Sequence, residues 1–306
     1  MRFFCCLIFL SCIFVKESFA TNDNNYILCT SCSIVNLPFS HSLTFPSACQ
    51  NDDNLPTNIY GYALACNIKY HLDYNTEQIN IIFNASNDTS VFEGQKPSEY
   101  LIQEIKLDLR NNSNQQNEIQ RTYGCNIKDN CARDFYLETI GNLVTGVQSQ
   151  LDSIRRKLQN DTLLIGNNSQ RRCINSSIAG NKQSRRCQFG LCYANYTNYP
   201  YNHEQNSKTQ RCDSDNSPIV NSYIKYHEPK SIGKDKETLE YRCNKNVCNR
   251  NDRILKIQSI ITEFTKWNST ISKPVMVIEK KANSSMKQTI ASYIVVLFLI
   301  FIQIFI

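Results

Sequence analysis

"TYGCNIKDNCARDF", Thr122–Phe135, and "EYRCNKNVCNRND", Glu240–Asp252, are two copies of one pattern, and their agreement decides how the chain divides. In each, a tyrosine (Tyr123, Tyr241) stands two positions before a cysteine (Cys125, Cys243). A short polar loop then leads to a second cysteine (Cys131, Cys248). Earlier segments run in step: "ACQ" at Cys49 with "RCQ" at Cys187, and "CNIKY" at Cys66 with "CYANY" at Cys192, so that Tyr70 aligns with Tyr196.

The segment after the last cysteine of each set repeats as well. Leu137, Ile140, Val144, Val147, Leu151, Ile154 and Leu158 are spaced by three and four, which places them on one helical stripe. Ile254, Ile257, Ile261, Phe264 and Ile271 take the same offsets after Cys248; Trp267 carries the stripe past Asn268, and Pro274 stops it. This spacing predicts helices over 132–159 and 251–272. Their apolar stripes would pack each helix on its own module, or pair the helices with each other or with a second copy; Gly141 and Gly146 weaken a coiled coil.

Upstream, "NIYGYALACNIKYHL", "QINIIFNAS" and "SPIVNSYIKYHE" alternate β-branched or aromatic residues with polar ones and read as strands. "DLRNNSNQQNEIQ" and "NDTLLIGNNSQRR" are polar and read as a long loop and a linker. The expected fold class is therefore α+β, two tandem disulfide-stapled β-rich modules (21–160 and 173–273, joined by 161–172), each followed by an amphipathic α-helix. Cores of this size need staples.

The ends place the chain in the secretory pathway. Residues 1–20 have Arg2, an apolar run from Phe3 to Val15 and small residues at Ser18 and Ala20, the order of a cleaved signal. Beyond the stalk (274–289), the tail 290–306 carries no charge, and small residues Asn283, Ser284 and Ser285 precede a polar spacer. That order predicts a glycolipid anchor, with a retained transmembrane span as the alternative. The mature chain keeps Cys29, Cys32, Cys49, Cys66, Cys125 and Cys131 in one half and Cys173, Cys187, Cys192, Cys212, Cys243 and Cys248 in the other. An even set behind a signal reads as a disulfide framework, with bonds confined to each half. Sequons at Asn84, Asn87, Asn111, Asn160, Asn167, Asn175, Asn195, Asn268 and Asn283 fit a glycosylated ectodomain.

The opening "YILCTSC" (Leu-Cys-x-x-Cys) and the closing "YRCNKNVCN" (Cys-x4-Cys-Asn) resemble the three-finger superfamily, the snake-toxin-like fold of lymphocyte-antigen and urokinase-receptor relatives. The resemblance implies a Cys243–Cys248 bond, a Cys125–Cys131 bond, and a structural role for Asn249 in tying the chain end to the core. The chain departs from that pattern in having Arg242 where a doubled cysteine is usual, Ala132 where asparagine is expected, and no opening Cys-x-x-Cys in the second half.

Chemistry finds little purchase. Cys29-x-x-Cys32 has no second metal half-site, so neither zinc nor another metal is expected, and nothing sets it up as a redox pair. His41, His71, His203 and His227 are isolated, no nucleophile elbow is present, and Asp73, Glu77 and Glu104 form no recognisable carboxylate pair. No cofactor is expected. The net charge of +6 does not suggest nucleic acid in this compartment. Arg171, Arg172, Arg185 and Arg186 flank Cys173 and Cys187, and read either as a solvated rim or as a patch for sulfated glycans or anionic headgroups. The expected function is that of a non-enzymatic binding or modulator module, membrane-anchored and glycosylated, facing an extracellular or membrane protein partner. The alternative is a structural or adhesion protein that self-associates through its helices.

Overall fold

Strict alternation along "QINIIFNAS" buries Ile79, Ile81 and Phe83 and turns Ile82 and Asn84 outward, so one face of each long strand must be covered. The computed structural model describes residues 26–50, 59–92, 98–110, 117–159, 171–176, 184–231 and 233–265. The signal segment, most of the linker, the stalk, the attachment region and the hydrophobic tail lie outside these. Among the described residues no helix is long and apolar enough to cross a membrane.

The first half forms β1 (Ile27–Thr30), β2 (Cys32–Pro38), β3 (Tyr60–Ala63), β4 (Ala65–Asp73), β5 (Gln78–Ser86), β6 (Glu99–Asp108) and β7 (Asn117–Cys125), then α1 (Cys131–Val144) and α2 (Val147–Arg156). The second forms β8 (Arg172–Ile174), β9 (Ser184–Arg186), β10 (Leu191–Asn198), β11 (Ser207–Asp213), β12 (Ile219–Glu228), β13 (Lys236–Cys243) and α3 (Asn251–Thr265). Arg172, expected in the linker, is thus the first residue of a strand.

The fold class expected from the sequence does not hold. The protein is mostly β-sheet, and the halves are not two separate β-rich modules with one helix each. Nine strands make one antiparallel sheet in the order β11-β10-β13-β12-β6-β7-β4-β5-β2. The reason is an edge. Each half pairs β6 with β7, or β12 with β13, and leaves the far side of β6 and of β12 with unpaired backbone groups. These two edges satisfy each other over ten residue pairs, from Ile219 opposite Asp108 to Glu228 opposite Glu99.

The seam has a pseudo-two-fold axis. Leu101 faces Tyr123 and Val220 faces Tyr241, so Leu101 and Val220 are equivalent positions in the two halves. The same offset makes Glu104 equivalent to Tyr223, and these two lie opposite each other in the ladder. Leu101 pairs with Tyr226 as Val220 pairs with Leu107, the reciprocal contact a dyad requires.

One hydrophobic cluster runs under the seam, joining Leu101, Ile105 and Leu107 to Val220, Ile224 and Tyr226. α1 lies over β4, β7 and β1, while α2 packs against α3 from the other half. Expected as one run over 132–159, the helical segment of the first half is broken: Gly146, at φ +63°, takes a left-handed conformation that L residues disfavour and restarts the chain as α2. Of the stripe the spacing suggests, Ile140 and Val144 are buried in α1 but Leu137 is 37 % exposed, and Phe135, Tyr136 and Leu143, outside that stripe, are buried with them. The Cys125–Cys131 disulfide ties the first turn of α1 to the end of β7. Leu151, Ile154 and Leu158, with Ile254, Ile257 and Ile261, are consumed inside the chain, and Lys157 Nζ meets Glu263 Oε1 at 2.6 Å between the halves.

The shared sheet predicts the behaviour of a nicked chain. After proteolysis within residues 160–170, the halves are expected to co-elute in gel filtration under native conditions and to separate in denaturant without reductant. Separation under native conditions would refute the continuous sheet.

Candidate functional site

All twelve cysteines among the described residues are in disulfides: Cys29–Cys66, Cys32–Cys49, Cys125–Cys131, Cys173–Cys192, Cys187–Cys212 and Cys243–Cys248. Every bond stays within its half. Cys66 faces Cys125 and Cys192 faces Cys243 on neighbouring strands, yet each sends its sulfur elsewhere, to the first strand or to the closing loop. The remaining bond differs between halves, for Cys49 and Cys187, aligned by their following glutamines, take unrelated partners. Such an oxidised framework belongs to an extracellular or secreted protein.

The closing loops clamp the first strand of each half. In the first, Leu28 N donates to Asp129 Oδ1 at 2.8 Å and Asn130 N to Leu28 O at 2.7 Å. In the second, Arg172 N donates to Asn246 Oδ1 at 3.0 Å and Val247 N to Arg172 O at 2.7 Å. The loops need a left-handed residue before the last cysteine, supplied by Asn130 (φ 52°) and Val247 (φ 53°). Asparagine tolerates that region, whereas valine is strained there.

Asn249 adds a further clamp and is fully buried. Its Oδ1 accepts from Ile174 N at 2.9 Å, and its Nδ2 donates to Ile174 O at 2.9 Å and to Tyr193 O at 3.0 Å. One side chain thereby ties β8 to β10, beside Tyr241, whose hydroxyl donates to Cys248 O at 3.1 Å. Burial pushes the Tyr241 phenol pKa far up, so it remains a donor. Ala132, at the matching position of the first half, has no side chain to do this.

Of the histidines, His227 alone has a buried carboxylate partner. Its Nδ1 lies 2.7 Å from Asp235 Oδ1, which also accepts from His227 N at 2.9 Å. This resembles a base with its orienting acid, but a general base must reach a substrate proton. His227 Nε2 is sealed from solvent without a hydrogen-bond partner, and the Tyr100 ring sits 6.4 Å away across the seam. The pair fixes the turn after β12. His71 pairs instead with Glu118 at 3.4 Å on the open face. His41 lines a cleft of about 440 Å³ with Ile34, Leu37, Phe45, Pro46 and Gln50 beside β2. His203 is exposed. Asp73 and Glu77 flank the β4–β5 turn, while Glu104 sits at the seam, so the three are not brought together.

Buried ionic groups that no periodicity revealed bind the helices to the sheet. Arg121 donates to Gln103 Oε1 at 2.6 Å and to the Tyr70 hydroxyl at 3.3 Å, and that hydroxyl meets Thr139 of α1. Glu237 accepts from the Tyr226 hydroxyl and from Gln258 of α3 at 2.8 Å. A charged residue in an inward register position was the one available signal. The sulfurs of Cys173, Cys187 and Cys212 lie within 4.8 Å of one another, but all are oxidised and offer no thiolate to a metal.

Asn84 and Asn87 are exposed, and Asn175 and Asn195 are half-buried. Asn111, Asn160, Asn167, Asn268 and the Asn283–Ser285 region lie outside the described residues. No protein family, curated protein or solved structure matches the chain.

Two substitutions test the clamps. Asn249→Ala strands backbone groups of Ile174 and Tyr193 and is expected to lower stability by about 1–3 kcal/mol in thermal melts. Val247→Asn, which copies the first half, is expected to raise it by about 1 kcal/mol through relief of left-handed strain; a loss would show that the valine side chain matters more than its backbone.

Proposed function

We propose that this chain is a non-enzymatic, membrane-anchored extracellular glycoprotein that binds an extracellular or membrane protein through the open face of its sheet. The observation that carries this reading is the division of the sheet's two faces. Helices cover one; along the seam the other presents Ile102, Glu104, Tyr223 and Lys225, all partly exposed and drawn from both halves. A nine-stranded sheet spans about 40 Å, enough for an interface of ordinary size. Disulfides in each half hold it rigid, so little order has to be gained on binding. Support for the anchor comes from the sequence order at Asn283–Ser285 and the apolar tail.

Two measurements test the reading. Labelled protein should bind intact cells saturably, and Ile102→Ser with Tyr223→Ser should weaken that binding about tenfold or more with the melting temperature little changed. Equal binding by wild type and variant would exclude the open face. Phosphatidylinositol-specific phospholipase should release the protein from its own cells; full retention would replace the glycolipid with a retained span.

A further inference from the structure

Around β8, β9 and the closing loop, the second half is cationic. Residues 162–203 contain five lysines and arginines and no aspartate or glutamate, and the closing loop adds Lys245. The fold places four of them, Arg171, Arg172, Arg185 and Arg186, on or beside one strand pair. β8 and β9 pair so that Arg172 stands directly opposite Arg186, with Arg185 next along the strand, and all three are exposed. Like charges directly opposed across a strand pair repel, which destabilises the pair unless an anion lies between them.

The arginines are positioned and not neutralised. Arg172 Nε donates to Ser184 Oγ at 3.0 Å and its Nη2 to Ser184 O at 2.9 Å, both neutral acceptors. Its backbone is pinned to the closing loop through Asn246 and Val247. Arg171 donates to Gly190 O. The nearby acids are already engaged: Asp213 takes Arg242 at 2.7 Å, and Asp215 and Glu240 join it. Among the described residues, none of Arg172, Arg185, Arg186 or Lys245 forms an ion pair. Phe189, beside this group in sequence, is 81 % exposed.

We infer that this end of the second half binds a sulfated polysaccharide. Guanidinium groups offer paired donors to sulfate oxygens, and Arg172 and Arg186 on one face of the strand pair with Arg185 on the other suit a chain polyanion that wraps it better than a single anion. Phe189 gives a sugar ring an apolar face to stack on. An anionic lipid surface is the less suitable partner, since anionic lipids concentrate on the cytoplasmic leaflet and the disulfides place this protein outside. The surface is separate from the open face of the sheet at the seam, so either can fail without the other.

The test uses the full-length protein in detergent, with heparin as probe, desulfated heparin as control and phosphatidylserine vesicles as the competing surface. Binding to heparin is expected at about 0.15 M salt and is expected to be lost as salt rises, since ion contacts are screened. Arg185→Ser with Arg186→Ser should weaken it about tenfold, about 1.4 kcal/mol. Lys69→Ser with Lys106→Ser removes the same charge from the open face and should leave it within about twofold. Heparin should also shield Arg172 and Arg186 of the wild type from an arginine-selective reagent, a readout that needs no variant to fold. Absent heparin binding, an equal loss in the lysine control, unprotected arginines, or binding to vesicles alone would each overturn the inference.

Discussion

Everything in this molecule depends on two sheet edges closing each other. β6 and β12 would each leave a row of backbone donors and acceptors open, a hazard that proteins usually blunt with charge, proline or a bulge. Here the two rows are antiparallel, equal in length and related by a pseudo-two-fold axis through Glu104 and Tyr223, so each supplies what the other lacks. Because the side-chain period is two, this register also aligns both apolar faces on the same side. A main core shared by both halves, and helices that reach across from one half to the other, go with that alignment.

The disulfides play a different part. None crosses the seam, so cohesion between the halves rests on the ladder, the common core and the α2–α3 contact. Cys125–Cys131 and Cys243–Cys248 close short loops, which remove little chain entropy; their effect is to aim a helix and to anchor the first strand. Asn249 shows the same economy, since one buried amide satisfies three backbone groups on two strands.

The one buried histidine–carboxylate pair, His227 with Asp235, is sealed at the seam, and the three clustered sulfur positions are oxidised. Two solvent-facing features among the described residues are an open sheet face along the seam and the cationic strand pair β8–β9, whose Arg172, Arg185 and Arg186 form no ion pair there. These two surfaces differ in character. The first is mixed and flat; the second is charged and narrow.

Much was legible from the sequence alone. Matching cysteine endings marked the duplication, alternation marked β4, β5 and β12, and local spacing foreshadowed which cysteines share a half, because strand alternation and short loops are written in neighbouring residues. A structural role for Asn249 came from the resemblance of its closing loop to a known pattern. Tertiary structure alone decided the rest. Alternation in β6 and β12 says that a face is buried and not which strand lies alongside, since backbone hydrogen bonds carry no residue code; the merging of two halves into one sheet was therefore invisible. Leu137 lies toward solvent while Ile140 and Val144 of the same stripe are buried, because α1 packs on β1, β4 and β7 through a face that also takes in Phe135, Tyr136 and Leu143. The Arg172–Arg186 opposition, fourteen positions apart in the chain, exists only once β8 and β9 pair.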